Sequence, residues 1–214
     1  MLFKDYKVEK FLEELSSHAP SPGGGSTAAL VLALSASLNS MVYSLTIGKK
    51  AFDALKDSEK EKMIVLQNEA KELIVKAQEY MEKDREDFIN LMDSYKLPKD
   101  NEEEIRVRKE IIKKSTIKAM ETPLKLAEEC IKFYDNIEFA VNYGNKNLIS
   151  DAGVSTSLLH SAIESAIINV KVNLNSLRSE EFAAEIEEKC EKIINLSYNK
   201  KCMLMKCVEE IIYP

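Results

Sequence analysis

The stretch Ala19–Gly48, APSPGGGSTAALVLALSASLNSMVYSLTIG, holds no charged residue in a chain of which 31% is charged. Half of the chain's six glycines stand together in it, at Gly23, Gly24 and Gly25. Consecutive glycines give freedom to adopt φ > 0 and let backbone come close to another group. After them the composition turns to Ala, Ser, Leu and Val with no proline or glycine until Gly48, which predicts a helix from Ser26 to about Ile47, with Ser26 as its N-cap. Its surface of Ala28, Ala29, Ala33, Ser35, Ala36, Ser37 and Ser40 is small on every side, so neighbouring helices can approach closely. The length would suit a membrane span. Asn39, the many hydroxyls and the amphipathic remainder of the chain argue instead for a central buried helix.

The rest of the sequence also reads as helix, because no segment shows sustained alternation bounded by hairpin turns. A short helix covers Val8 to Ser17. Ser58 and Glu61 form a capping-box pattern that opens a long helix ending near Tyr95. Its apolar stripe runs Leu66, Ala70, Leu73, Ala77, Met81, Phe88 and Leu91, and Asp84 falls on it. A carboxylate on a core-facing stripe needs a partner. A fourth helix begins near Asn101, with Ile105, Ile112, Ala119, Leu126, Cys130, Phe133 and Ile137 on one face and Arg108 among them. Thr122-Pro123 predicts a kink or restart, with Thr122 capping and Pro123 at the first helical position. Ser150 or Asp151 is expected to cap a fifth helix, again rich in Ser, Ala and Val, and Ser179 a last one reaching Ile212. The expected architecture is an all-α bundle of about six long helices around a central buried small-residue helix, in one domain over residues 1–214. Two nearly uncharged helices and long apolar stripes exceed what one bundle hides, which predicts a homodimer.

The 214 residues suffice for a sizeable core, and the net charge of -6 disfavours nucleic acid as a partner. The first residues, Met1-Leu2-Phe3-Lys4-Asp5, lack a signal-peptide pattern. Cys130, Cys190, Cys202 and Cys207 make no CxxC pair, and His18 and His160 cluster with none of them. No zinc site is expected, and reduced thiols in the cytoplasm are the reading. His18 and His160 read as surface or satisfied core.

Four groups carry potential chemistry. The first is the glycine segment with Ser21 and Ser26, opening a helix whose free N–H groups suit an anion. The second is Thr46-Ile47-Gly48-Lys49-Lys50. The third is Asp84 with Arg108, charges on otherwise apolar stripes. The fourth is Ser150-Asp151, with Asn169 and Asn173 four residues apart on one face of the same helix. Each has a plainer alternative: a turn, lysines complementing a helix C-terminus, a structural ion pair between Asp84 and Arg108, an N-cap at Asp151, packing hydrogen bonds at the asparagines.

In this order the motifs resemble the cyclodeaminase domain of the formiminotransferase-cyclodeaminase family. The matching residues are SPGGGSTAA (21–29), Met41-Val42, LTIGKK (45–50), Asp84 with Phe88, Leu97-Pro98-Lys99, Arg108, Pro123-Leu124, Gly144-Asn145, SDAGV (150–154), Asn169-Val170 and Asn173-Leu174. Asp87 departs from the small residue usual in the family, and the buried helix is richer in serine.

The resemblance implies a dimeric all-helical enzyme acting on a reduced folate, with one or more glutamates, and needing no cofactor or metal. Its deaminases close 5-formiminotetrahydrofolate to 5,10-methenyltetrahydrofolate and release ammonia. Its cyclohydrolases interconvert 5,10-methenyl- and 10-formyltetrahydrofolate. The deaminase is the favoured expectation and the cyclohydrolase the alternative. A helical interaction scaffold without activity is the third reading, though a scaffold needs neither the glycines nor a stripe aspartate. For the enzyme, Asp84 is the expected acid–base group and Asp151 the alternative. Asn169, Asn173 and Asp151 would hydrogen-bond the pterin. Ser21, Gly23, Gly24, Gly25, Ser26, Lys49, Lys50, Lys99 and Arg108 would hold the anionic tail.

Overall fold

A computed structural model describes residues 1–213, and every regular element among them is helical. Seven α-helices follow in order: α1 (Val8–Leu15), α2 (Gly24–Ser44), α3 (Lys50–Asp53), α4 (Asp57–Ser94), α5 (Glu102–Tyr143), α6 (Ile149–Asn175) and α7 (Ala183–Ile212). Two short 3-10 turns precede α1 and α6. The expected six helices are present, and α3 is an extra single turn.

The small-residue helix α2 is central, packed against α4 on one side and α6 on the other, with α5 behind and α7 against α5 and α6. Ala28, Ala29, Leu32 and Ala36 of α2 are fully or almost fully buried. The abundance of serine has a specific cause. Ser35 Oγ donates to the Ser155 carbonyl at 2.8 Å, and Ser155 Oγ donates back to the Ser35 carbonyl at 2.8 Å. Two short side chains thus satisfy each other while letting α2 and α6 touch. Asn39 and Asn136 do similar work deeper in the bundle. Asn39 Nδ2 donates to Asn136 Oδ1 at 2.6 Å, Asn136 Nδ2 to the Leu66 carbonyl at 2.9 Å, and the Tyr43 hydroxyl to the Asn136 carbonyl at 2.6 Å. This joins α2, α4 and α5. His160, the satisfied core histidine, meets Ser197 Oγ at 2.7 Å, and Tyr134 meets the same hydroxyl at 2.9 Å, fastening α7. His18 is exposed.

Helix α2 is long and apolar enough to cross a membrane, and 61% of its most apolar window is buried inside the bundle.

Several local expectations need correction. The N-cap of α2 is Gly23, and Ser26 lies inside the first turn with its hydroxyl turned to α4. The Ser58/Glu61 box does not form; α4 starts at Asp57, and Glu59 reaches back to the Lys56 N–H at 2.9 Å. On α4 the buried stripe continues through Asp87, not Phe88, because the seven-residue rhythm of Leu66, Leu73, Ala70 and Ala77 persists. Asn101 does cap α5, accepting from the Glu104 N–H at 2.9 Å. Thr122-Pro123 neither caps nor restarts it, since α5 runs unbroken past Pro123. At α6 neither Ser150 nor Asp151 is the cap: a turn capped by Asn145 feeds the helix, and Asp151 falls in its first turn. Ser179 does not cap α7, which begins four residues later at Ala183 after Phe182.

Candidate active site

The chain enters α2 through Gly23 in extended backbone, with no side chain capping the first turn. A carboxylate from another helix serves that turn. Ser26 Oγ donates to Asp84 Oδ2 at 2.8 Å. Positive φ is not what the glycines provide, because Gly48 alone has it, at 74°. They provide room. A Cβ on Gly25 would stand 1.9 Å from Asp84 Oδ1, and one on Gly24 would stand 3.1 Å from Asn169 Nδ2. Nothing lies within 4 Å of such an atom on Gly23. Burial pushes the Asp84 pKa up from its ordinary value, and hydrogen bonding from Ser26 pulls the other way without cancelling it; the charge of Asp87 adds a smaller upward push. Asp84 is only half-buried, beside exposed Gly24 and half-exposed Gly23, Thr27 and Asn169. A protonatable group thus opens onto a surface made of backbone and amide.

Asn169 donates to the Ser165 carbonyl at 2.8 Å and lies over Gly24. Asn173 has a different task. Pro123 has no N–H, so the carbonyl four residues earlier, that of Ala119, loses its helical donor. Asn173 Nδ2 supplies one at 3.1 Å, and also reaches the Asn169 carbonyl at 3.0 Å. The asparagine therefore explains how α5 passes a proline without breaking.

Asp84 and Arg108 are not an ion pair. Arg108 Nη2 donates to the Tyr95 carbonyl at 3.0 Å, eleven residues beyond Asp84 on α4, or about 16 Å along the helix axis. Arg108 and exposed Lys99 belong to the tip of the α4–α5 hairpin, which extends past the glycine turn. Ser21 sits half-buried just before that turn.

The remaining candidates lie elsewhere. Helices α2 and α6 are antiparallel: Gly24 meets Asn169, Ser35 meets Ser155, and the Asn145 N–H donates to Thr46 Oγ1 at 2.8 Å. Lys49, Lys50, Asn145 and Leu148 line a surface groove at the far end. Half-buried Asp151 begins α6 beside them, 18 residues from Asn169, which is about 27 Å along the axis. One constellation in the sequence is thus two separate clusters in the chain. One holds Ser21, Gly23, Gly24, Gly25, Ser26, Asp84, Asn169 and Asn173. The other holds Lys49, Lys50 and Asp151.

Sequence reasoning did not anticipate how Asp87 is held. It is 2% exposed, accepts from Thr122 Oγ1 at 2.7 Å, and lies 2.9 Å from Lys83 Nζ. Lys83, four residues earlier on α4, was the available signal.

Residues 7–192 match the family model described as formiminotransferase-cyclodeaminase. A methenyltetrahydrofolate cyclohydrolase from Methylorubrum extorquens is 35% identical over 185 residues, 83% of this chain and 84% of that protein. The formimidoyltransferase-cyclodeaminase of Mus musculus is 27% identical over 96% of this chain, which spans only 37% of that longer protein. In fold, the chain is similar to the crystal structure of formiminotetrahydrofolate cyclodeaminase from Thermotoga maritima, with a TM-score of 0.85 over 98% of this chain and 99% of that one, at 23% identity. The family-model match over residues 7–192, together with the 35% identity to the cyclohydrolase, places the chain in the formiminotransferase-cyclodeaminase family.

Proposed function

We propose that this chain closes 5-formiminotetrahydrofolate to 5,10-methenyltetrahydrofolate and releases ammonia. The observation that carries the reading is Asp84, a half-buried carboxyl group biased toward its protonated form and open to ligand beside Gly24 and Asn169. Starting from the protonated formimino group, ring closure forms the bond from N10 to the formimino carbon, the C=N bond becomes a C–NH2 bond, and N10 loses its proton. The bond from that carbon to its amino nitrogen then breaks after the nitrogen gains a proton. One carboxyl group can carry the proton from N10 to the amine and end the cycle unchanged. Asn169 would hydrogen-bond the amide-like pterin edge. The first-turn N–H groups of α2 suit a carbonyl acceptor of the pterin. Arg108 and Lys99, about 16 Å farther along α4, would meet the glutamate tail.

The two clusters favour a second copy. A folate with one glutamate does not bridge about 27 Å within one chain. Between the clusters, α2 and α6 leave an uncharged face exposed, including Leu34 (49%), Val154 (51%), Ile168 (63%) and Val172 (67%). A two-fold dimer across this face would set Asp84 of one protomer against Lys49, Lys50 and Asp151 of its partner.

The 35% identity to a methenyltetrahydrofolate cyclohydrolase supports a second reading, in which water attacks the methenyl carbon and N5 leaves with the proton. The test supplies each substrate separately. Appearance of the methenyl chromophore with equimolar ammonia, at a kcat/KM above that for methenyl hydrolysis, supports the deaminase. The reverse ratio assigns the cyclohydrolase, and neither activity above the spontaneous rates rejects both.

A further inference from the structure

The Ser26 hydroxyl is fully buried and has one hydrogen to give, yet two acceptors on α4 stand within reach of it. Asp84 Oδ2 lies at 2.8 Å, and the Met81 carbonyl, three residues earlier, at 3.2 Å. A carbonyl inside a helical ladder keeps a second lone pair for such a bond. The other carboxyl oxygen, Oδ1, lies against Gly25, where a Cβ would stand 1.9 Å from it. Because Ser26 is wholly enclosed, its side chain does not meet the anionic tail, as the sequence suggested; it meets Asp84. Around this carboxyl group α2 brings no charged residue and α6 brings the Asn169 amide. Helix α5 reaches this side of α4 with Thr122, whose hydroxyl is bonded to Asp87. On α4 itself Asp87 adds a negative charge, while Arg85 is engaged by the Met1 carbonyl at 3.3 Å and by the Phe3 ring.

We propose that Ser26 is a positioning residue for the reaction. Its hydroxyl is shared with the Met81 carbonyl while Asp84 carries the proton, and is given wholly to Oδ2 once the proton has left, so that Oδ1 is the oxygen that exchanges the proton with the substrate. The inference rests on Asp84 being the acid–base group. A buried hydroxyl needs an acceptor in every state of the cycle. Here it turns about its own C–O bond between two acceptors, and neither state leaves its hydrogen unpaired. A hydrogen bond to a carboxylate is stronger than one to a neutral acid, so Ser26 favours the charged form that takes the proton from N10. That proton moves from N10 to Oδ1, and from Oδ1 to the leaving nitrogen. The serine hydrogen stays on its own oxygen throughout, and no bond within Ser26 is made or broken. The first turn of α2 thus does two things in adjacent residues: Gly25 admits the carboxyl group, and Ser26 fixes its rotamer.

The test is the pH profile of kcat, with KM measured alongside, in purified variants whose circular dichroism matches wild type. A group that takes the proton from N10 starts as carboxylate, so the acid limb reports its ionisation. Ser26→Ala removes the donor to the charged form, and the acid limb should move toward higher pH by about one unit. Plateau kcat should fall about tenfold or more, because Oδ1 loses its fixed place, while KM stays within about twofold. Ser26→Cys, close in shape and a weaker donor, should fall between wild type and Ser26→Ala. An unmoved limb in folded Ser26→Ala, or a loss confined to KM, overturns the role. If that variant does not fold, an unmoved limb in Ser26→Cys does so. In an Asp84→Asn background, Ser26→Ala should lower the residual kcat no further, since the serine acts through the carboxyl group; a second full loss overturns the role as well. Asp84→Asn also separates the two claims. If it keeps wild-type turnover, the acid–base assignment fails. If it is inactive while the Ser26 variants keep the wild-type limb, only the role of Ser26 fails.

Discussion

Gly25 and Asp84 are in such close contact that a single Cβ on the glycine would stand 1.9 Å from the carboxylate oxygen Oδ1. The glycine is required by a side chain from another helix and not by its own backbone angles. Ordinary Cβ contacts begin near the sum of van der Waals radii, so either Asp84 swings away or the start of α2 shifts.

A graded series follows along the three glycines. Gly25→Ala should lower turnover by about 10²-fold or more, because a displacement near 1 Å at a reacting group has that effect. Gly24→Ala, with its Cβ 3.1 Å from the Asn169 amide, should be milder and appear mostly in KM. Gly23→Ala, which meets nothing within 4 Å, should be close to wild type. Steady-state kinetics on the three variants test this, and equal losses at all three positions would point to a flexible turn instead.

Asp84→Asn should keep the Ser26 hydrogen bond through its amide oxygen and lose about 10²–10⁴-fold in kcat. Stability should move the other way. Burial raises the Asp84 pKa in the folded chain above its unfolded value. The protonated form thus contributes stability that is full below the unfolded pKa and is lost as pH rises through the folded one. At pH values above the folded pKa the wild type carries a half-buried charge that Asn lacks. The variant should melt at the same temperature or higher there, and the difference should vanish in mild acid. Thermal melts across pH check this, and a variant less stable at pH 8 than at pH 5 relative to wild type contradicts it.

The Asn173 side chain and Pro123 form a coupled pair. With Pro123 present, Asn173→Leu leaves the Ala119 carbonyl without its donor and should cost about 1–3 kcal/mol. In a Pro123→Ala background the helix supplies an N–H of its own, so the same substitution should cost clearly less. Urea unfolding of the four proteins measures the coupling. Strictly additive effects would show that the asparagine does not replace the missing donor.

What the sequence revealed and what it hid divide along the same line as local and long-range interactions. The buried nature of α2 and α6 was legible, because small residues without charge can only pack. The oddity of Asp84 was legible from the stripe, since heptad rhythm and charge are both local. Its partner was not: Ser26 lies 58 residues away and looked like an ordinary cap. Ser58, Ser150 and Ser179 misled for a related reason. Serine marks where a helix can begin, but Glu59 reaching back to Lys56 and Asn145 ahead of α6 fixed the actual starts. The separation of Lys50 and Asp151 from Asp84 depends on α2 running antiparallel to both α4 and α6, which no motif in a linear string discloses.

That separation yields the sharpest prediction. If Asp84 and Asp151 serve one site from two protomers, each single variant, Asp84→Asn and Asp151→Asn, should be severely impaired by itself. Mixing the two under conditions that exchange subunits should restore activity. Random reassociation makes half the dimers mixed, and each mixed dimer holds one site with both wild-type groups and one with both substituted. About a quarter of wild-type activity is then expected under two-fold symmetry. Ile168→Glu, on the exposed α6 face, should abolish both the dimer and the rescue, because it places a charge where α6 would meet its partner. Light scattering and the ammonia assay read the two effects together. A monomer that is fully active, or mixed variants that never exceed the sum of their separate activities, would confine the site to the Asp84 end of a single chain.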